Sequence, residues 1–487
     1  MINYKTNILL VVAIILFAPF CSKGVSNNSN GNNNNGGGDT STATTETVVP
    51  WVTDPDHSVL FQQAGSLLHY NAPTSTSVID IDDKQTFQTM DGFGYTLTGG
   101  SAMLLQGMDA ASRASLLNEL FAWDKNNIGV SYLRVSIGSS DLDDHVFSYD
   151  DLAAGLTDST LSKFSISTDE KYLIPVLKQI LAINPAIKIL GSPWSPPAWM
   201  KSNNSTMAGS LLAAYYSSYA NYFVKYIQAM KAEGITIDAI TIQNEPLNPN
   251  NNPSMVMQPT EEGSFIKTAL GPAFAAAGIQ TKIFLYDHNC DRPDYPTTIL
   301  DDTAAAKYVD GSAFHLYAGS INALTSVHNA HPDKNLYFTE QWVGAPGNLK
   351  GDMDWHIANV VIGSALNWSR VALEWNLASD PTYSIHTPGG CTQCLGAVTI
   401  SGSNFNYNPA WYTIAHAAKF IRPGSVRIAS PVISGLVNAA FKTPSGSIIL
   451  LVENTGTATA DFNIRFATKA FAASLNPGAV ATYVCNK

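Results

Sequence analysis

Short apolar, β-branched runs alternate with longer amphipathic stretches from about residue 87 onward. Such runs are typical of buried parallel strands, and the stretches between them are typical of helices packed on the sheet. In Ser210–Ala232, apolar and aromatic residues recur at three- and four-residue steps before Gly234, which predicts one helix. Eight strands are predicted here: Thr89–Tyr95, Ser131–Ile137, Ile187–Ser192, Ala239–Gln243, Lys282–Tyr286, Ser312–His315, Leu336–Thr339 and Arg370–Glu374.

Eight strand–helix units predict an α/β fold, a (β/α)8 TIM barrel, which we assign to residues 87–422. After Pro423 the pattern changes to short alternating strands separated by turns, which predicts an all-β side domain, a β-sandwich, over 423–487. Residues 48–86 are expected to add N-terminal strands to it, including Ser77–Asp82. Its predicted C-terminal strands are Val426–Ile428, Gly435–Phe441, Ser447–Glu453, Ala460–Phe466 and Ala479–Val484.

The first 20 residues have the pattern of an export signal, with Lys5 before an apolar run that is too short for the roughly 20 residues of a spanning helix. Residues 16–21 resemble a bacterial lipoprotein cleavage box, in which Cys21 becomes the lipidated first residue; ordinary signal cleavage is the alternative. Residues 21–47 are almost all Asn, Gly, Ser and Thr, which predicts a disordered tether. We therefore expect an exported cell-envelope lipoprotein, on the periplasmic or surface face of a membrane.

The chain has 487 residues, 45% of them hydrophobic, which is enough for a large core. Lys and Arg total 27 against 38 Asp and Glu, so the net charge is −11. A chain of this charge repels nucleic-acid backbones and anionic membrane surfaces. We expect no nucleic-acid partner and contact with a membrane only through the lipid anchor. The sequence does not specify the oligomeric state.

Four cysteines remain beside Cys21: Cys290, Cys391, Cys394 and Cys485. The Cys391–Cys394 spacing fits half a zinc site or a redox pair, but no second Cys/His pair at ligand spacing accompanies it. An exported compartment permits disulfides. A local disulfide or two free thiols is the favoured interpretation of this pair, and the pairing of the other cysteines stays open.

Two glutamates follow predicted barrel strands. Glu245 comes after the fourth strand in Gln243-Asn244-Glu245-Pro246, and Glu340 comes after the seventh in Phe338-Thr339-Glu340. The C-terminal ends of the strands form the active-site face of such a barrel. Retaining hydrolysis of an acetal needs one carboxylic acid and one carboxylate roughly 5–5.5 Å apart. A lone glutamate after a strand could instead cap a helix or pair with an arginine, but two in these contexts favour catalysis.

A longer ordered series of motifs resembles glycoside hydrolase family 30, the glucosylceramidases and β-1,6-glucanases of clan A. Each motif alone is weak, whereas the ordered set covers nearly all of residues 87–425. The matching segments are Asp91–Gly94, Tyr132–Val135, Ser192–Lys201, Gln243–Pro246, Phe314–Tyr317, Phe338–Glu340, Trp375–Leu377 and Lys419–Ile421.

By this resemblance Glu245 is the general acid/base and Glu340 the nucleophile of a retaining β-glycosidase that needs no metal and no organic cofactor. That chemistry asks for a raised pKa at Glu245 and for cationic or hydrogen-bonding help that keeps Glu340 ionised. Arg134 is the expected helper, or else part of a structural ion pair. Asn244 matches the family residue that binds the sugar 2-hydroxyl, and Tyr317 is expected to donate to the nucleophile.

Several further side chains are assigned to substrate binding. His315 is either a core histidine or part of the pocket wall, and no cluster at metal-ligand spacing surrounds it. Tryptophans follow several strands, and flat aromatic faces suit the apolar faces of a pyranose ring. Trp194 and Trp375 have family counterparts in the sugar pocket, and Trp342 is a third candidate.

The substrate is expected to be a β-glucan or β-glucoside. Counting from Gly92-Phe93-Gly94 puts Gly99 where glucosylceramidases are expected to carry an aspartate that grips the terminal glucose. A missing grip would leave the pocket open at its non-reducing side and favour an endo-acting β-1,6-glucanase. The alternatives are a glucosylceramidase or β-glucosidase with the same machinery, a xylanase, and a carbohydrate-binding lipoprotein without catalysis.

Overall fold

The protein was analysed as a computed structural model that describes residues 47–67, 69–70 and 75–485. The predicted signal, the lipidation site at Cys21 and nearly all of the predicted tether lie outside the described residues. The strands are β1 (Val48–Thr53), β2 (Gln62–Gln63), β3 (His69–Tyr70), β4 (Val78–Thr89), β5 (Gly92–Thr96), β6 (Tyr132–Ser136), β7 (Lys188–Ser192), β8 (Ala239–Thr241), β9 (Lys282–Cys290), β10 (Gly311–Gly319), β11 (Asn335–Glu340), β12 (Val343–Gly344), β13 (Ser369–Asn376), β14 (Ala378–Ser379), β15 (Cys394–Leu395), β16 (Val398–Ser401), β17 (Asn404–Tyr407), β18 (Val426–Ala429), β19 (Leu436–Lys442), β20 (Ile448–Asn454), β21 (Ala460–Phe466), β22 (Lys469–Leu475) and β23 (Val480–Cys485).

Helices connect most of the barrel strands. They are α1 (Gly99–Gly107), α2 (Ala110–Phe121), α3 (Leu173–Ile183), α4 (Tyr216–Ala232), α5 (Pro259–Phe265), α6 (Gly271–Ala277), α7 (Asp294–Leu300), α8 (Thr303–Ala306), α9 (Ala323–Ala330), α10 (Leu349–His356), α11 (Ser364–Leu366) and α12 (Pro409–Ala418). Within the described ranges, no helix is both long and apolar enough to span a bilayer.

The eight predicted barrel strands are confirmed as a closed parallel barrel in the order β10-β11-β13-β5-β6-β7-β8-β9. Nearly every residue of these strands is buried, because one face of each strand fills the barrel interior and the other packs on helices. The interior includes a layer with Tyr132, Phe284 and Tyr337, in which the rings of Phe284 and Tyr337 stack at 3.7 Å. This packed interior fixes the ends of the strands that carry the candidate site.

The predicted β-sandwich is confirmed as well. Its two sheets share the long strand β4, which pairs with β18 through Asp82–Thr89 and with β21 through Val78–Ile81. The strand β22 was not among our predictions; it pairs antiparallel with β21 in full register and carries the sheet on to β3. Apolar side chains of both sheets form a separate core that includes Ile79, Leu450, Phe462 and Tyr483.

The helix predicted over Ser210–Ala232 begins later than expected, at Tyr216, after a 3-10 turn at Ala213–Tyr215. The backbone of the missing part is engaged elsewhere: Leu212 donates its N–H to the carbonyl of Met200 at 3.0 Å, and Leu211 forms a β-bridge with Lys201. The apolar periodicity continues through this segment, but its N–H groups serve a neighbouring loop at the mouth of the barrel.

Candidate active site

Glu245 and Glu340 meet at the mouth of the barrel. Glu340 is the last residue of β11, and Glu245 follows β8 with a left-handed backbone at φ 46° that is held by its N–H bond to the carbonyl of Asp287 at 3.0 Å. Both side chains are buried. One carboxylate oxygen of each glutamate lies within 4.8 Å of the other, and of a ring nitrogen of His315. Ninety-five residues apart in the chain, the two acids can thus act on one bond.

Arg134 of β6 binds the nucleophile candidate directly. Its Nη1 donates to Glu340 Oε2 at 2.6 Å, and its Nη2 donates to Asp287 Oδ2 at 2.7 Å and to Asn244 Oδ1 at 2.7 Å. Burial disfavours the charge of this guanidinium, but Asp287 and Glu340 outweigh burial and raise its pKa above the ordinary value. Arg134 is therefore a permanent cation that orients both Glu340 and Asn244.

Asp287 is the central acceptor of this network, and our sequence analysis did not identify it. It also accepts from Thr241 Oγ1 at 2.8 Å and Thr339 Oγ1 at 2.6 Å. Burial opposes its ionisation, but the charge of Arg134 and the hydrogen bond and charge of His315 keep its pKa well below the usual range. The available signal was Asp287 directly after the apolar run of the fifth barrel strand, which we ended at Tyr286.

His315 lies between the two glutamates and belongs to the site rather than to an apolar core. Its Nδ1 is 3.3 Å from Glu245 Oε1 and 3.6 Å from Glu340 Oε1, and its Nε2 is 3.0 Å from Asp287 Oδ1. Burial lowers its pKa, but the charge of Glu340 and the hydrogen bonds to Asp287 and Glu245 raise it to about 9. His315 therefore links Glu245, Glu340 and Asp287 in one network of hydrogen bonds and charges.

The pKa shifts of the two glutamates differ from our expectation. Burial favours the neutral form of Glu245, but the hydrogen bond and charge of His315, the charge of His288 and a hydrogen bond from Asn248 lower its pKa to about 2. Burial raises the pKa of Glu340 despite the charges of His315 and Arg134. The expectation of a raised pKa at Glu245 is wrong, because hydrogen-bond donors and nearby imidazoles surround its carboxylate instead of apolar walls.

Aromatic side chains form the walls of a cavity of about 170 Å³ over the two glutamates. The rings of Trp194 and Trp375 lie 5.4 Å apart, and Trp342 also borders the cavity. Tyr317 is 38% exposed and donates its hydroxyl hydrogen to Glu340 Oε1 at 2.9 Å. Trp199 lies outside this cavity in the main core, where its Nε1 donates to the carbonyl of Asp150.

The cavity contains a carboxylate that our reasoning missed. Asp141, which follows β6 in the segment Ser139-Ser140-Asp141, borders the cavity, and burial together with the charges of Glu340 and Glu245 raises its pKa to about 7. Gly99 lies away from the cavity, and a Cβ on it would come within 1.6 Å of Asp143 Oδ1. A carboxylate therefore borders the cavity although position 99 is a glycine, so Gly99 by itself does not argue for endo action.

Cys391 and Cys394 form a local disulfide, one of the two arrangements favoured from the sequence. Both residues border the cavity, next to Trp194, Trp342 and Trp375. Cys290 and Cys485 are buried. A larger cavity of about 650 Å³ opens at the opposite end of the barrel, near Lys188 and Lys282, and neither Glu245 nor Glu340 borders it.

A parallel barrel with two buried carboxylates facing one aromatic cavity at its C-terminal mouth defines a glycoside hydrolase. The family model "Glycosyl hydrolase family 30 TIM-barrel domain" matches residues 90–421, and "Glycosyl hydrolase family 30 beta sandwich domain" matches residues 424–483. The chain belongs to glycosyl hydrolase family 30.

Individual relatives give the same assignment. An endo-1,6-beta-D-glucanase of Neurospora crassa is 38% identical over 402 residues, which cover 78% of this chain and 82% of the relative. A putative glucosylceramidase of Caenorhabditis elegans is 29% identical over 416 residues, 80% of this chain and 79% of the relative. The solved structure of the endo-beta1,6-glucanase BT3312 superposes with a TM-score of 0.84 at 34% identity and covers 91% of this chain and all of that one.

Proposed function

We propose that this protein is a retaining endo-β-1,6-glucanase in which Glu245 is the acid/base and Glu340 the nucleophile. The observation that carries the mechanism is the approach of the two carboxylates to within 4.8 Å beside one aromatic cavity. This separation suits direct attack on the sugar, whereas an inverting enzyme keeps its carboxyl groups roughly 6.5–9.5 Å apart to hold a water. The endo action and the β-1,6 linkage rest on the Neurospora relative and the solved glucanase.

In the first step a Glu340 oxygen attacks the anomeric carbon, the bond from that carbon to the leaving oxygen breaks, and Glu245 gives its proton to that oxygen. Arg134 and Tyr317 hold the Glu340 carboxylate from two sides for this attack. Because the hydrogen bond and charge of His315 lower the pKa of Glu245, its acid role requires that bound substrate raise this pKa before the first step.

In the second step the Glu245 carboxylate takes a proton from water, the water oxygen attacks the anomeric carbon, and the bond to Glu340 breaks. Asn244, oriented by Arg134, is placed to bind the sugar 2-hydroxyl. Trp194 and Trp375 offer ring faces to the sugar, Trp342 adds a third wall, and the carboxylate of Asp141 can accept hydrogen bonds from sugar hydroxyls.

A panel of polymers tests the substrate: pustulan, laminarin, glucosylceramide and xylan are compared at equal enzyme concentration. We expect the highest kcat/KM on pustulan, a linear β-1,6-glucan, with oligosaccharides as early products. Glucose as the sole product at all times would contradict endo action. Preference for glucosylceramide would favour the glucosylceramidase alternative, and preference for xylan the xylanase alternative. Binding of glucan without any released sugar would favour the non-catalytic alternative.

The stereochemistry of the first product tests the double displacement. Proton NMR of a fresh digest should show the β-anomer of the newly formed reducing end before mutarotation. An initial α-anomer would contradict a covalent intermediate on Glu340.

Export and lipidation at Cys21 are a second proposal, supported by the sequence of residues 1–47. Mass spectrometry of the protein expressed in a bacterium should find a diacylglycerol on Cys21 and no residues before it. The Cys21→Ser variant should lose the lipid and leave the membrane fraction. Cleavage at another position with an unmodified Cys21 would contradict lipidation.

A further inference from the structure

The turn Cys391–Cys394 forms one wall of the candidate sugar cavity, and its disulfide lies in that wall. Cys394 is only 6% exposed and packs in one cluster with Trp194, Trp375 and Leu142. The two half-cystines are therefore part of the surface that a bound sugar would contact.

The same turn contacts the cavity carboxylate. The backbone N–H of Cys391 donates to Asp141 Oδ2 at 3.4 Å, and the N–H of Asp141 itself also bonds this carboxylate. The segment before the turn holds the main chain of Asp141, because Thr387 donates its N–H to the Asp141 carbonyl at 2.9 Å. Residues 387–391 thus contact both the main chain and the carboxylate of Asp141.

The segment before the turn also contacts the side of the cavity that carries the acid/base candidate. Thr387 Oγ1 donates to the carbonyl of Asn252, and Asn252 Nδ2 donates to the carbonyl of Pro388 at 3.0 Å. Asn252 follows Asn251, which borders the cavity and donates to Glu245 Oε2 at 3.1 Å. Residues 387–394 therefore join the Asp141 side of the cavity to the Glu245 side.

We propose that the Cys391–Cys394 disulfide is a positioning element for sugar binding: it fixes the Cys391 amide on Asp141 and so preorganises the wall that receives the sugar hydroxyls. This inference rests on the proposed role of the cavity as the sugar site. It concerns ground-state binding, since neither cysteine is within hydrogen-bonding distance of Glu245 or Glu340 among the contacts observed in the described chain. Opening the disulfide should raise KM and leave kcat nearly unchanged.

Reduction and reoxidation of the intact protein test this inference on whichever glucan of the panel the wild type cleaves best. Dithiothreitol converts the disulfide to two thiols and is itself oxidised to its cyclic disulfide, and thiol labelling with mass detection verifies the state. If reduction lets one backbone residue of the turn move, sugar binding must order that residue again, which lowers the binding constant by about a factor of ten. We therefore expect a KM about ten-fold higher after reduction and a kcat within about three-fold. Reoxidation should restore the original KM.

Three variants separate the disulfide from other effects of the reductant. The double variant Cys391→Ser/Cys394→Ser should resemble the reduced wild type and should not respond to dithiothreitol. Cys290→Ser, which alters a buried cysteine outside the cavity, should keep the full response. In Asp141→Ala, KM should be raised already, and reduction should raise it little further, because no side-chain acceptor is left for the Cys391 amide.

An unchanged KM after verified reduction would overturn the inference. So would a loss confined to kcat, or a reduction effect of full size in Asp141→Ala. If the reduced protein lost its folded circular dichroism spectrum, the disulfide would be a stability element and the inference would fail. A wild type that cleaves another β-glucan but not pustulan contradicts the proposed linkage and leaves this comparison intact.

Discussion

Arg134 donates through Nη1 to Glu340 Oε2 at 2.6 Å, with the arginine side chain fully buried and that of the glutamate 8% exposed. Removing one partner of a buried pair strongly destabilises the fold, because the other charge is then buried without compensation. Arg134 also bonds Asp287, so one substitution would remove a cation from two buried carboxylates and leave His315 as their remaining positive neighbour.

We therefore expect Arg134→Met to lower the free energy of unfolding by about 3–5 kcal/mol and kcat/KM by at least about 100-fold. Urea unfolding and pustulan turnover measure the two effects. The matched control is Arg292→Met, which removes an exposed pair with Asp294 and should cost less than about 1 kcal/mol. Equal effects of the two substitutions would contradict the importance of burial.

Substitution of the two acids tests their assignment. Glu340→Gln and Glu245→Gln should each lower kcat on pustulan by about three orders of magnitude or more while glucan binding persists. Azide should restore turnover of an activated aryl β-glucoside by Glu245→Gln with formation of a β-glycosyl azide. Glu170→Gln, at an exposed glutamate, is the control. Near-normal turnover by either active-site variant would refute its role.

The pH dependence of stability should reveal the charged His315. Its folded pKa of about 9 lies above the ordinary value of 6.5, so its stabilisation is fully present below about pH 6.5 and is lost as the pH rises through about 9. We expect this loss to amount to about 2–3 kcal/mol between pH 6.5 and 9.5, measured by urea unfolding. His315→Gln should remove most of that slope. An identical slope in the variant would show that other groups cause it.

Two amides should control the proton on Glu245. Asn248 Nδ2 donates to Glu245 Oε2 at 2.7 Å and Asn251 Nδ2 donates to the same oxygen at 3.1 Å, which favours the carboxylate form. Asn251→Ala should therefore raise the pKa of Glu245, by about one unit, as followed by carbon-13 NMR of the glutamate carboxyl groups.

The carbon-13 signal of the Glu245 carboxyl group is identified as the one that is missing from the spectrum of Glu245→Gln. Asn250→Ala is the matched control, since the side chain of Asn250 is exposed and bonds through its backbone N–H to Asn248. A Glu245 titration that is the same in the wild type and in Asn251→Ala would contradict control by the amides.

Much of this molecule follows from local pattern. The barrel strands were predictable because parallel strands buried on both faces must be continuous apolar runs, and the residue after such a run must lie at the mouth. Glu245 and Glu340 could be located for that reason, and the family motifs added Arg134, Asn244, His315 and Tyr317. The disulfide remained one of two open arrangements, because spacing alone does not tell bonded cysteines from free thiols.

Only the tertiary structure decided how these groups act on each other. Asp287 and Asp141 were missed because their importance comes from partners on other strands, and Gly99 was misjudged because a position counted along the chain does not say what fills the space beside it. The first turn expected of α4 is absent because a neighbouring loop takes its backbone N–H groups. Which of Glu245 and Glu340 has the higher pKa depends on His315, Asn248 and burial together. Sequence thus determines which side chains reach the mouth of the barrel, while distances of a few ångströms between distant segments determine their charge.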